Sequence, residues 1–156
     1  MRVLTVRQPW AWAIVHGGKD VENRTKSLGP YRGPVAIHAG LSIADGSAWT
    51  DPNVEAAMLR AESIPAWSTT LGAVIGVVDL TDEHDPTECW RKPWKWETAD
   101  PVNGDLCSPW AMPDHHHLVL ANARPLPRPI RARGMLGLWR PDAGLLAEIT
   151  EQLAAA

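Results

Sequence analysis

The chain has no phenylalanine, one tyrosine and only two cysteines among its 156 residues. Cys89 and Cys107 stand far apart without a CxxC spacing, which predicts free thiols in a cytosolic chain. No apolar run reaches the roughly 18 residues that a membrane-spanning helix requires. The first residues also lack the pattern of a signal peptide. These absences predict a cytoplasmic protein with no membrane partner.

Nine tryptophans stand in place of the missing phenylalanines, so tryptophan is expected to fill core positions as well as any binding site. The apolar content of 45% is that of an ordinary globular protein. The length fits one domain over residues 1–156, without repeats or low-complexity tracts.

Short strands with glycines alternate irregularly with helices, which favours an α+β fold built on a small curled sheet or barrel. Strands are predicted over 2–6, 19–25, 33–38, 71–81, 118–120 and 136–139. Helices are predicted from Pro9 to Gly17, from Asp51-Pro52 onwards, and over 141–154 after Asp142. Residues 85–116 are rich in proline and tryptophan and have no clean period, which predicts a long insertion or lid.

Basic residues are concentrated in two stretches, although the net charge is -3. The first 32 residues contain Arg2, Arg7, Lys19, Arg24, Lys26 and Arg32, and the second stretch contains Arg124, Arg128, Arg131, Arg133 and Arg140. If folding gathers them on one face, they predict a partner that bears phosphates. The alternative is that folding scatters them.

The segment Val6-Arg7-Gln8-Pro9-Trp10-Ala11 combines polar groups with the start of a helix. Free N–H groups at that start, beside Arg7 and Gln8, form a candidate seat for an anion. Trp10 and Trp12 lie about 200 degrees apart around the helix, so they cannot enter the same core. One of them is expected to face a cleft, where stacking on a base contributes ~1–3 kcal/mol. Alternatively, both are structural.

Lys19, Glu22 and Arg24 follow this helix and form a second candidate cluster. Glu22 and Arg24 are two apart on a predicted strand and so share a face. Lys19 joins them only if it lies in a turn or bulge. The alternative is a surface ion pair worth ~0–1 kcal/mol and a solvated lysine.

Two further strand residues are candidates. His38 shares a strand face with Ala36, opposite Val35 and Ile37, and reaches either the cleft or the surface. Asp79 is expected to be partly buried and paired with a cation, for which Arg24 and Lys19 are the candidates.

Cys89, Cys107 and the run His115–His117 contain the residue types that zinc prefers as ligands, so a zinc site is one interpretation of them. The spacing matches no familiar ligand pattern. The sequence therefore predicts no metal and no cofactor.

The motifs Gln8-Pro9-Trp10-Ala11 and Gly18-Lys19-x-x-Glu22-x-Arg24, with Tyr31-Arg32-Gly33 and residues 76–80, resemble the ASCH family of the PUA-like superfamily. The resemblance implies a small mixed β-barrel with flanking helices and a cleft beside the first helix. It also implies binding of RNA or other nucleic acid. Relatives such as YTH and EVE domains hold one modified base in an aromatic pocket.

Some ASCH proteins are enzymes, and the resemblance therefore implies a second function. One is an amidohydrolase of N4-acetylcytidine that is associated with a lysine, a threonine nucleophile and a glutamate. Lys19 matches the lysine, but the motif position three residues later is Glu22 rather than threonine. Lys19 and Glu22 would then act as acid and base on a water, and with His38 they would serve phosphodiester cleavage.

The sequence thus favours a module that binds RNA, single-stranded DNA or a modified nucleoside. The predicted ligand-binding residues are Arg7, Gln8, Pro9, Trp10, Trp12, Lys19, Glu22, Arg24 and Asp79. A hydrolase that uses Lys19, Glu22 and His38 is the alternative, followed by a protein-interaction adaptor.

Overall fold

The computed structural model describes residues 1–61, 69–91 and 106–155. Within these residues, six strands form one curled, half-barrel sheet, and three helices flank it. The strands are β1 (Arg2–Gln8), β2 (Val21–Arg24), β3 (Gly33–Ile43), β4 (Ala73–His84), β5 (His116–Arg131) and β6 (Leu138–Trp139). The helices are α1 (Trp10–His16), α2 (Pro52–Arg60) and α3 (Ala143–Ala154), and short 3-10 helices cover Gly46–Thr50 and Pro86–Arg91. Within the described ranges, no helix is long and apolar enough to cross a membrane.

The sheet has the strand order β2-β5-β4-β3-β1-β6. β1 runs parallel to β3, and the other neighbours are antiparallel, so the sheet is mixed. The predicted α+β class is confirmed. β5 is much longer than predicted, because the sequence pattern ended the strand before a proline-rich stretch. Pro127 and Pro129 fall where the pairing of β4 with β5 shifts register, so they remove no ladder hydrogen bond.

Apolar side chains are buried on both faces of the sheet. On one face Ile37 and Ile75 pack with Ile14 of α1, and on the other Val77 and Leu126 pack with Ile149 of α3. Burial on both faces explains why β4 reads as a continuous apolar run rather than an alternating one.

Gly76 allows α1 to lie close against β4. A Cβ at this position would lie 2.5 Å from Val15 Cγ1 and 3.1 Å from the carbonyl oxygen of Arg124. The contact lets α1 pack closely on β4 near Val15, and the other end of this helix borders the groove described next.

Candidate functional site

A groove of about 1230 Å³ opens beside the start of α1. Residues from β1, β2 and β3 line it, together with segments 109–112 and 133–137. Four of its lining side chains are basic, namely Arg7, Lys19, Arg24 and Arg133. The two basic stretches of the sequence therefore both contribute to this surface. Arg131 of the second stretch does not line the groove, and it donates to the Leu71 carbonyl at 2.7 Å.

Lys19 is buried in the wall of this groove, with 4% of its surface exposed. It lies in the turn before β2, which lets it reach the side of the strand that carries Glu22. Its Nζ donates to the Val21 carbonyl and lies 3.7 Å from Glu22 Oε2. The ring centroids of Trp10 and Trp110 lie 5.6 and 5.5 Å from Nζ, within cation–π range. Burial lowers the pKa of Lys19, and the Glu22 carboxylate opposes this shift.

Glu22 is held between two cations. Its Oε1 lies 3.2 Å from Nη2 of Arg24, and Lys19 approaches the other oxygen. Arg24 Nη2 also donates to the Thr5 carbonyl at 2.8 Å, which fixes the guanidinium against β1. The structure therefore brings an ammonium, a carboxylate and a guanidinium together beside an indole ring, as the cluster hypothesis required.

The two tryptophans of α1 have different surroundings. Trp10 is half-buried and lines the groove. Trp12 is fully buried and packs with Ala13 and with Ala57 of α2. The suggestion that Trp12 supplies a stacking surface is therefore wrong. α1 packs against α2 on the side that carries Trp12, so the indole of Trp12 is covered, whereas that of Trp10 borders the groove.

Gln8 and Pro9 shape the start of α1 rather than presenting groups to a ligand. Gln8 is 1% exposed, and its Oε1 accepts the backbone N–H of Trp12 at 3.0 Å. Pro9 is buried, and its carbonyl accepts from the N–H of Ala13 at 2.9 Å. The Trp12 N–H, one of the groups that the predicted anion seat would use, is therefore already bonded to Gln8. The anion seat stays a prediction.

Asp79 also has a different role from the one predicted. Its carboxylate accepts from Arg124 at 2.7 Å and from Asn122 at 2.9 Å, both on β5. The predicted pairing with Arg24 or Lys19 is wrong, because β5 separates β4 from β2 in the sheet. Asp79 does not line the groove.

His38 lies at the base of the groove but is only 1% exposed. Since a carbonyl can only accept, His38 Nε2 carries the hydrogen in its 3.0 Å bond to the Ala132 carbonyl. Burial lowers the pKa of His38, and the backbone hydrogen bond opposes this effect. His38 is therefore held in its neutral form.

The buried neutral His38 predicts a loss of stability in acid. Above the ordinary value of 6.5, His38 is neutral whether the chain is folded or not. As the pH falls below 6.5, the unfolded chain takes up a proton more readily, so the free energy of unfolding falls. We expect His38→Gln to reduce this dependence, measured as urea midpoints at about pH 7.5 and 5.5. If the urea midpoints of the wild type and of His38→Gln change equally between the two pH values, this prediction is wrong.

The segment 109–112 forms a wall of the groove, and the sequence did not single out Trp110 as part of it. Asn23 of β2 donates to the Trp110 carbonyl at 2.8 Å and accepts from the Met112 N–H at 2.9 Å. Ser108 Oγ donates to Asp20 at 2.5 Å. These bonds place Trp110 beside Lys19. Asp20 and Asn23 alternate with the motif residues, but nothing in that spacing indicated their partners.

The predicted insertion or lid over 85–116 is therefore described only in part. Its end packs against the groove through the bonds just given. Residues 92–105 lie outside the described residues.

No protein-family model matches the chain, and no curated protein matches its sequence. Among solved structures the chain is similar to an ASCH protein from Zymomonas mobilis, with a TM-score of 0.50 and 17% identity over 99% of this chain and 93% of that one. It is equally similar to a single-substitution variant of that protein, with a TM-score of 0.50 and 18% identity over 99% and 94% of the two chains. The similarity agrees with the motifs found in the sequence. The chain therefore has the half-barrel α+β fold of ASCH proteins.

Proposed function

We propose that this chain binds single-stranded nucleic acid, RNA or single-stranded DNA, by taking a base into the groove beside α1. The main support for this proposal is the buried ammonium of Lys19. It lies close to two indoles and to Glu22 in the wall of an open groove. Burying a lysine is costly even when its charge is paired, and an apolar residue would serve the fold as well. A role in binding a ligand accounts for this arrangement.

Each part of the groove suits one part of a nucleotide. Trp10 and Trp110 offer aromatic surface, and stacking a base on such a surface contributes ~1–3 kcal/mol. Glu22 can accept from an exocyclic amine, while Arg24 donates to the base edge or phosphate. Arg7 is exposed and lines the groove, and its proposed role is to contact a phosphate of the bound oligonucleotide. The groove volume of about 1230 Å³ exceeds the roughly 300–1,000 Å³ typical of small-ligand pockets. This size favours an oligonucleotide over a free nucleoside as the ligand.

The salt dependence of binding tests the role of Arg7. Fluorescence anisotropy with short labelled RNA and DNA strands should give an affinity that falls steeply with salt. If Arg7 neutralises one phosphate, Arg7→Ala should reduce the slope of log K against log salt by about 0.7. Arg60→Ala is the matched control, since Arg60 is exposed at the end of α2 and does not line the groove. An unchanged slope for Arg7→Ala would remove Arg7 from the binding surface.

One observation favours a hydrolase as a second candidate. The lowered pKa of Lys19 raises the share of neutral amine near neutral pH, and a carboxylate lies 3.7 Å away. Such a pair can move protons on a bound water. The substrates would be N4-acylated cytidines, or an RNA strand whose cleavage also uses His38.

Turnover distinguishes the two candidates. An enzyme should release acetate from N4-acetylcytidine or cleave RNA, and Glu22→Gln should abolish the reaction. If no nucleoside in a panel is turned over, binding remains as the proposed function. If neither turnover nor nucleic-acid binding is observed, a protein-interaction adaptor remains as the alternative.

A further inference from the structure

Four potential metal ligands meet at one end of the β4–β5 pair, apart from the polar cluster around Lys19. His84 ends β4 and pairs directly with His117 near the start of β5. Cys89 lies in the 3-10 helix that follows β4, and Cys107 lies near the start of the segment that carries Trp110. Each residue contributes one ligand atom, and all four atoms lie within 4.8 Å of one another.

The distances between these atoms suit a tetrahedral ion. Cys89 Sγ lies 3.3 Å from His117 Nδ1 and 3.6 Å from His84 Nε2. Cys107 Sγ also lies 3.3 Å from His117 Nδ1. Zinc bonds of ~2.3 Å to sulfur and ~2.0–2.1 Å to nitrogen give a tetrahedron with edges of roughly 3.3–3.8 Å. The three distances all fall within that range.

The second nitrogen of each histidine is already engaged. His84 Nδ1 lies 3.2 Å from a carboxylate oxygen of Asp82, and His117 Nε2 donates to the Met112 carbonyl at 2.8 Å. These contacts direct His84 Nε2 and His117 Nδ1 towards the two thiols. A ligating histidine is normally oriented in this way, by a carboxylate or a carbonyl on its outer nitrogen.

We propose that His84, Cys89, Cys107 and His117 bind one zinc ion as a structural site. Two thiolates and two imidazoles complete a four-coordinate shell, and three of the four residues are buried, which is typical of structural rather than catalytic zinc. The ion would fasten both ends of the connection between β4 and β5 to the sheet. It would thereby support Trp110, three residues after Cys107, beside Lys19.

The sequence did not reveal this set. Its pattern brings together Cys89, Cys107 and the run His115–His117, but it does not point to His84, and it predicts no metal. The ligands are spaced as His-x4-Cys and Cys-x9-His, and only the cross-strand pairing of His84 with His117 joins the two halves.

Metal analysis of the full-length chain tests the proposal without any nucleic acid. The protein is loaded with zinc under reducing conditions and desalted, and zinc per chain is then measured by mass spectrometry. We expect one zinc in the wild type and in His116→Ala, whose substituted residue points to the opposite strand face from His117. Cys89→Ser and His84→Ala should each lose the bound zinc.

Cobalt binding to the wild-type protein tests the proposal even if those variants fail to fold. Wild-type protein loaded with Co²⁺ should show absorption typical of a tetrahedral, thiolate-ligated ion. Chelation should lower its thermal midpoint, whereas the midpoint of His116→Ala should respond as the wild type does. A zinc content far below one per chain, a cobalt spectrum without thiolate bands, or a Cys89–Cys107 disulfide under reducing conditions would each overturn the zinc site.

Discussion

Lys19→Met is expected to weaken binding of single-stranded oligonucleotides by about tenfold or more. A hydrogen bond from a charged group contributes ~1.5–3 kcal/mol, and each 1.4 kcal/mol is about a factor of ten in affinity. Methionine keeps most of the side-chain volume between the indoles but removes the ammonium. Anisotropy titration at one fixed salt concentration measures the effect.

The same substitution should leave the free energy of unfolding unchanged or raise it. Lys19 is 4% exposed, so its removal relieves the cost of burying a charge. Glu22 keeps a cation, since Arg24 lies 3.2 Å from its other oxygen. Lys26→Met is the matched control, because Lys26 is exposed and does not line the groove. A Lys19→Met protein that is strongly destabilised, or that binds like the Lys26→Met protein, would show that Lys19 serves the fold.

Trp12→Ala should chiefly lower stability and Trp10→Ala should chiefly lower affinity, although only one residue separates the two positions. Trp12 is fully buried against α2, so its truncation should lower the free energy of unfolding by about 3–5 kcal/mol. Trp10 is half-buried at the groove, so its truncation should chiefly reduce oligonucleotide affinity, by ~1–3 kcal/mol. Urea unfolding and anisotropy titration, applied to both variants, separate the two losses.

This pair of substitutions also distinguishes a binding site from a structural aromatic cluster. If Trp10→Ala loses stability as severely as Trp12→Ala and keeps full affinity, both indoles belong to the core. The groove would then lack its proposed stacking surface on α1.

Local patterns in the sequence predicted most of the fold. Proline at the start and glycine at the end placed α1, and Asp142 placed α3, because caps depend on residues close in the chain. The proline-rich end of β5 was missed, since Pro127 and Pro129 fit this strand where its pairing with β4 shifts register, and that shift cannot be read from β5 alone.

The candidate site was predicted to the extent that its residues are near neighbours in sequence. Lys19, Glu22 and Arg24 are spaced so that a turn followed by a strand brings their head groups together. Trp110 was not predicted, because it reaches Lys19 through the packing of the connection between β4 and β5. His84 was not predicted, because the pairing of β4 with β5 brings it to His117. Asp79 was assigned the wrong partner for the same reason, since the order of strands in the sheet decides which cation it meets.

The most direct test of base binding in the groove is to follow the tryptophan indole N–H signals of nitrogen-15-labelled protein by NMR during titration with a short single strand. The nine signals can be assigned by replacing single tryptophans with phenylalanine. We expect saturating oligonucleotide to shift the signals of Trp10 and Trp110, which line the groove, and to leave that of the buried Trp12 in place. Saturation with the Trp10 and Trp110 signals unmoved would place the nucleic acid elsewhere and contradict the account.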